Sequence, residues 1–341
     1  MKMHLLTFGD HLQDPVTGHT TTVAERHRGI IESAVAAESA GFDGVNIGEH
    51  HAGEFVSVSP PVTLAAIAER TTDLRLGTAV TLLANLDPLR AAEDYAVLDI
   101  ISGGRAEMVV GRGNLFPHTY ELFGQSLDDS RRLFEENVEL VLRLWTEESV
   151  TWSGSSRPTL HDVTLQPRPL QRPHPPLWIG GGGSPETAQL AARLGLPLAL
   201  PSGFSEPGRF KPVVKAYKDA FTSTTSQPTI GACWHVHVAK TTQQARERWE
   251  PRFRAYHNWF GEIVKRQNPS FSTSDLDFEW SLTEGSAIAG SPEEVIDRLG
   301  RLSAALEVDT NLIYLDSGGM PQAETLDMIE LIGQEVLPKL R

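Results

Sequence analysis

Residues 48–54 read Gly-Glu-His-His-Ala-Gly-Glu and follow the short apolar run Val45-Asn46-Ile47. Two adjacent imidazoles flanked by carboxylates offer two chemistries: ligation of a metal ion, or proton transfer by a histidine that an acid orients. Successive side chains on a strand point to opposite faces, so His50 and His51 cannot both enter one pocket if the strand continues through them. His50 shares a face with Gly48 and Asn46. Glu49 and His51 share the face of Val45 and Ile47, which suits the side packed beneath helices. His50 is therefore the functional candidate and His51 the structural one. Glu49 stands beside both and could orient either.

The metal reading has little behind it. No helical His-Glu-x-x-His occurs. His235-Val-His237 has the i, i+2 spacing that places both rings on one strand face, as in metal-dependent amidohydrolases. Those enzymes carry the pair on the first barrel strand, with further histidines on later ones. Here the first apolar run offers only His4, and the runs Leu177–Ile179 and Leu196–Leu200 hold no histidine. His235 and His237 are read as packing or pocket residues, and no metal is expected.

A second chemistry is anion binding. Trp178–Thr187 reads Trp-Ile-Gly-Gly-Gly-Gly-Ser-Pro-Glu-Thr. An apolar run ends in four glycines, which let a ligand approach the backbone closely. Ser184 then suits an N-cap and Pro185 a first helical position. Free amides at a helix start attract phosphate. Gly111-Arg112-Gly113 ends the preceding candidate strand. Neighbouring parallel strands would set the Arg112 guanidinium and the Ser184 helix start on one rim, around one phosphate. No dinucleotide fingerprint accompanies the glycines, since Pro185 and Glu186 occupy the third-glycine positions. A mononucleotide or a phosphorylated substrate suits the site better than a pyrophosphate.

These residues need a scaffold. Eight apolar runs, Met3–Phe8, Gly44–Ile47, Leu74–Leu83, Ala106–Val110, Leu177–Ile179, Leu196–Leu200, Ile230–Val238 and Leu312–Leu315, read as strands. Helical spacing marks Glu25–Ala40, Val62–Arg70, Pro88–Ile101, Asp129–Trp145, Pro185–Leu194 and Pro292–Leu306. Eight strand–helix alternations predict a (β/α)8 TIM barrel, a single domain over residues 1–341, with insertions after strands 4 and 7. The first, Gly111–Pro176, holds a helix and then a Pro/Arg-rich stretch, Gln166–Pro176, expected to run extended along the surface. The second, Ala239–Asn311, holds an aromatic helix (Trp249, Phe253, Tyr256, Trp259, Phe260) and a polar stretch, Asn268–Asp277. Long excursions of this kind commonly cover an active face.

The net charge of −14 argues against a nucleic-acid partner and against an anionic membrane surface. The single cysteine, Cys233, rules out an intrachain disulfide and suits a reducing compartment. With no apolar run near the length of a spanning helix and no secretory leader, a cytoplasmic protein is expected.

Taken in order, "GEHH", "LRLGTAVTLLANLDPLRAAEDYAVLDIISGGRAEMVVGRG", "ELFG" and "PLWIGGGGSPETAQLAARLGLP" resemble the bacterial luciferase-like flavin-dependent monooxygenases. The resemblance runs from the first strand to about Pro201 and resumes at "GSPEEVIDRL". It implies a barrel that binds reduced FMN, or in some branches F420. His50 matches the histidine beside the flavin ring. Ala79-Val80 matches a non-prolyl cis peptide that supports the ring. Arg112 matches the phosphate-binding arginine and Asn114 a neighbour that contacts phosphate through its backbone. Gly183, Ser184 and Thr187 match the phosphate cradle. The implied reaction joins reduced FMN and O2 in a C4a-peroxyflavin that oxidises a small organic substrate, with His50 titrating near neutrality beside it. A separate NAD(P)H:flavin reductase and a homodimer packed through Pro61–Arg70 and Pro88–Ile101 are implied as well. Two departures argue against light emission from a long-chain aldehyde. Gly111 stands where the luciferase catalytic subunit has a reactive cysteine, and Glu279–Ala289 is short and free of lysine. The other readings are an F420-dependent hydride-transfer enzyme, a non-catalytic flavin-binding protein and a metal hydrolase.

Overall fold

The computed structural model describes residues 1–181, 183–267 and 277–340. Gly182, and residues 268–276 of the polar stretch Asn268–Asp277, lie outside the described residues. Strands β1 (Lys2–Thr7), β2 (Gly44–Ile47), β3 (Arg75–Thr78) and β4 (Met108–Val110) alternate with helices α1 (Val23–Ala40), α2 (Pro60–Ala68) and α3 (Pro88–Ile101). The first insertion carries α4 (His118–Leu122), α5 (Ser130–Thr146) and a hairpin, β5 (Val150–Trp152) with β6 (Leu160–Val163). Then come β7 (Leu177–Gly180), α6 (Pro185–Arg193), β8 (Leu198–Leu200), α7 (Lys211–Ala220) and β9 (Ile230–Val238). The second insertion carries α8 (Thr242–Gln267), α9 (Phe278–Thr283), β10 (Ile288–Gly290) and α10 (Pro292–Leu306), before β11 (Thr310–Tyr314) and α11 (Gln322–Leu331).

Hydrogen bonding runs β3-β2-β1-β11-β9-β8-β7-β4, every pair parallel. Bridges Leu76↔Ala106 and Thr81↔Val110 bring β3 back to β4, which makes a nearly closed barrel of eight strands. These eight are the eight apolar runs. Local chemistry sets the helix starts. Thr22 and Glu25 form a reciprocal capping box on α1. The Asp87 carboxylate accepts from the Leu89 and Arg90 amides at α3, with Pro88 in its first turn.

Some expectations change. The run Leu74–Leu83 stays a strand only to Thr78, and the chain then turns through a cis Ala79-Val80 peptide. The β5–β6 hairpin escaped the apolar signal because only one face is covered: Val150, Trp152 and Leu160 are buried while Thr151, His161 and Asp162 are exposed. The Gln166–Pro176 stretch does not simply trail along the surface. It contains two cis X-Pro bonds, and Gln171 is fastened to Asp99 of α3 through both its amide (2.9 Å) and its side chain (2.6 Å).

Apolar side chains form two layers. The larger lies between strands and helices, with Ile47, Leu76, Val110 and Ile179 against Leu64, Tyr95, Phe134 and Ala191. The smaller lies inside the barrel, where Leu6, Cys233, Leu312 and Tyr314 meet Tyr256, Phe260 and Val264 of α8. The aromatic helix of the second insertion therefore caps the barrel from the end where the strands finish.

Candidate active site

The turn after β3 forms a shelf across the barrel mouth. The Ala79 amide donates to Ile47 O (2.9 Å), Thr81 N to Val109 O (2.8 Å), and Gly111 N to Thr81 O (2.9 Å). Backbone bonds to β2 and β4 thus hold both ends of the cis peptide. The Val80 side chain fills the room above two strand ends. A Cβ on Gly111 or Gly180 would come within 2.6 or 2.7 Å of a Val80 methyl. Glycine at both positions is what lets the shelf lie flat on β4 and β7.

β2 ends at Ile47, yet the alternation expected of a strand carries on through His51. Glu49 turns into the packed layer and is buried. Its two oxygens have separate duties: Oε2 accepts from the Leu82 amide (3.0 Å) and Oε1 bonds His51 Nε2 (2.9 Å). Glu49 therefore orients His51, which the residue types alone left open, and ties it to the end of the shelf. His50 points the other way, into the mouth. Its ring is half-buried, with Nδ1 fully buried. It stacks on Phe55 (centroids 4.1 Å, 11°) and meets Phe8 and Phe116 edge-on. Burial lowers its pKa to about 3, with the neighbouring His51 charge a smaller cause. An imidazole titrating near neutrality was expected; apolar rings around it keep it neutral across the physiological range instead.

The anion rim assembles as strand order requires. β4 and β7 are hydrogen-bonded neighbours, with Val110 opposite Ile179. Arg112 follows β4. Its Nη2 donates to Ser130 Oγ at the start of α5 (2.7 Å), its carbonyl accepts from the Tyr120 hydroxyl, and its Nε is buried with no hydrogen-bond partner. Next along α5, Arg131 reaches Glu186 of α6 (4.0 Å). The start of α5 thus bridges Arg112 and the start of α6.

Ser184 is the N-cap of α6 with Pro185 behind it, but its hydroxyl makes no cap bond and lies 3.5 Å from Thr187 Oγ1. Both residues are half-buried at the helix start. A Cβ on Gly183 would meet nothing within 4 Å, whereas one on Gly181 would strike Thr187. The Glu186 carboxylate has its pKa lowered by its own backbone amide and then by the Ser184 hydroxyl, so this helix start favours an anion. Asn114 is exposed two residues beyond Arg112. Ser130 and Tyr120 were not anticipated, since no motif marks them.

His235 and His237 are both buried and face the barrel interior. His235 lies against Tyr256, His257 and Tyr314, while His237 stacks on Trp249 and sits 3.4 Å from Glu324. No described helix is long and apolar enough to cross a membrane.

Comparison with known proteins places the chain in a family. The luciferase-like monooxygenase family model matches residues 1–309. Protein y4wF of Sinorhizobium fredii is 36% identical over 221 residues, a match that spans 64% of this chain and only 60% of that relative. The oxygenase component of the flavin-dependent trigonelline monooxygenase of Acinetobacter baylyi is 25% identical over 334 residues, covering 91% of this chain and 88% of its own. The crystal structure of monooxygenase RslO1 from Streptomyces bottropensis superposes with a TM-score of 0.86 at 29% identity, over all of both chains. The F420-dependent tetrahydromethanopterin reductase of Methanopyrus kandleri shares the fold at a TM-score of 0.73 and 20% identity, over 100% of this chain and 99% of its own. This chain belongs to the luciferase-like monooxygenase family.

Proposed function

We propose that this protein is the oxygenase of a two-component flavin-dependent monooxygenase, which takes reduced FMN and dioxygen and oxidises a small organic substrate. The observation that carries this reading is the Arg112 Nε, buried without a partner beside an anion-favouring helix start. An orphaned guanidinium nitrogen in such a place suits a phosphate monoester, the group that distinguishes FMN from riboflavin. Reduced FMN, when bound, would supply the electrons that activate dioxygen. Arg112, Asn114, Gly183, Ser184 and Thr187 would hold its phosphate. Ala79 and Val80 would carry the ring toward the barrel axis. His50, neutral and aimed into the mouth, would give or accept one hydrogen bond at the reacting position rather than act as a charged acid. Phe8, Phe55 and Phe116 around it would exclude water.

An A. baylyi relative named as an oxygenase component supports a separate NAD(P)H:flavin reductase as partner. A homodimer through α2 and α3 is supported by their outward apolar residues, since Val62, Val97, Ile100 and Ile101 are all exposed. The cytoplasm is the proposed compartment. An F420-dependent hydride transfer is the second reading, favoured by the shared fold with an F420 enzyme. One experiment separates them. The protein is titrated anaerobically with FMNH2 and with F420H2, then exposed to air while oxygen uptake is followed. Binding of FMNH2 with oxygen uptake altered in His50→Ala supports the monooxygenase. Binding of F420H2 alone, without oxygen uptake, would overturn it.

A further inference from the structure

On the β1–β2 side of the shelf the mouth is lined by rings. Phe8, His50, Phe55, Phe116 and Trp259 are half-buried. Beneath them Tyr256, Phe260 and Tyr314 are buried. Trp259 leans on Phe55 with centroids 5.0 Å apart, and Phe116 meets Phe260 edge-on at 6.0 Å. The half-buried rings come from the end of β1, the loops after β2 and β4, and α8. Gly48 places this basin directly against the shelf. A Cβ there would lie 2.7 Å from the Phe8 ring and 3.3 Å from both the Ala79 carbonyl oxygen and His50 Cε1. Half-buried rings gathered at one place combine a large apolar surface with directional edge and face contacts.

The charges nearby are already engaged. Asp10 accepts from the Tyr314 hydroxyl (2.6 Å) and the Gly318 amide (2.9 Å). Arg26 pairs with Asp316 at 2.8 Å and lies 3.7 Å from Asp10. Two carboxylates against one guanidinium leave the floor without net positive charge, so an anion gains nothing there. At the rim, the exposed Glu54 carboxylate accepts from the Trp259 indole (2.9 Å) and is engaged by it. The imidazole of His50 is neutral. A flat ring stacks in such a place at small entropic cost, whereas a flexible chain must be ordered bond by bond.

We propose that this basin takes an uncharged, planar ring compound as substrate, and that Phe116 and Trp259 determine this preference. The proposal builds on the monooxygenase reading, because the basin borders the shelf assigned to the flavin. Binding can nevertheless be tested without flavin. Four probes are titrated calorimetrically into the purified protein at neutral pH: 2-naphthol, 2-naphthoate, N-methylquinolinium and 1-decanol. The expected result is that 2-naphthol binds about tenfold tighter than the other three. Trp259→Leu and Phe116→Leu keep the apolar bulk and remove the ring. Each should weaken 2-naphthol by about fivefold and leave 1-decanol nearly unchanged. Equal or tighter binding of the anion, the cation or the alcohol would overturn the proposal. So would leucine variants that bind 2-naphthol normally. Arg112→Met keeps the two readings distinguishable. FMN binding that survives this change sinks the phosphate assignment but not the basin, and loss of 2-naphthol selectivity with intact FMN binding sinks the basin alone.

Discussion

The two sides of the barrel mouth are built differently. On the β4–β7 side, the proposed phosphate site consists of backbone amides, glycines and one guanidinium, concentrated in residues 111–114 and 183–187. On the β1–β2 side, the proposed substrate site consists of rings that converge from four distant segments. The shelf at Ala79-Val80 divides them. A group bound through amides needs a turn of fixed shape, and such a turn requires particular residues in particular order. A group bound through rings needs only that large side chains arrive at one place, and many sequences achieve that. The first side suits a group of fixed shape such as a phosphate, the second a ligand recognised by its apolar surface.

Removing the guanidinium is the most severe way to break this division. Arg112→Met should weaken FMN by roughly 10- to 150-fold, the cost of about 1.5–3 kcal/mol for a lost charge-assisted hydrogen bond. Riboflavin, which lacks the phosphate, should bind as before. Calorimetry with both flavins checks this. An equal loss for the two would mean that Arg112 supports the fold of the rim through Ser130 and not the phosphate itself.

The shelf gives the next largest effect. Gly111→Ala forces a Cβ to 2.6 Å from a Val80 methyl, and overpacking of this kind costs about 1–3 kcal/mol. Urea denaturation should show the loss. Val80→Ala in the same chain should recover most of it, because the two side chains would then share the space. Without such coupling, Val80 is not what the glycine accommodates.

These contrasts also explain what was legible in the sequence. All eight barrel strands could be read, because strands buried on both faces appear as continuous apolar runs. Arg112 and Ser184 could be placed on one rim before any coordinates, because parallel strand order alone makes their strands neighbours. The roles of Glu49 and His51 could not be settled, since the Leu82 amide that holds the other Glu49 oxygen in the packed layer lies 33 residues away. No motif marks Phe55 or Phe116, and only the folded chain brings both against His50. The neutrality of His50 was hidden for the same reason, because the desolvation that lowers its pKa comes from those neighbours.

The buried face of α8 against β9 also excludes protons, and that can be measured. Burial lowers the pKa of His257 to about 4, although the Phe253 carbonyl accepts from its ring and opposes the shift. In the unfolded chain a histidine takes up its proton near pH 6.5. Below that pH the unfolded state binds a proton that the folded imidazole refuses. The stabilising difference is thus fully present above pH 6.5 and is lost as pH falls toward 4, at about 1.4 kcal/mol per pH unit for one group. His257→Asn keeps a donor near the Phe253 carbonyl and removes the titration. The slope of stability between pH 5.5 and 4.5, from urea melts, should flatten by about that amount. An unchanged slope would mean that His257 is protonated in the fold.

The smallest effect belongs to the rim. Glu54 and Trp259 share one hydrogen bond across the mouth, and the carboxylate is exposed. Glu54→Gln leaves an acceptor in place and removes only a charge that solvent already screens, so stability should change by less than about 0.5 kcal/mol. Binding of 2-naphthol should barely move, while Trp259→Leu weakens it about fivefold. The pair of variants sharpens the comparison, because it separates the ring from the charge beside it. If Glu54→Gln weakens naphthol as much as Trp259→Leu does, then the carboxylate charge at the rim contributes as much as the ring, and the ring side is not a purely apolar site.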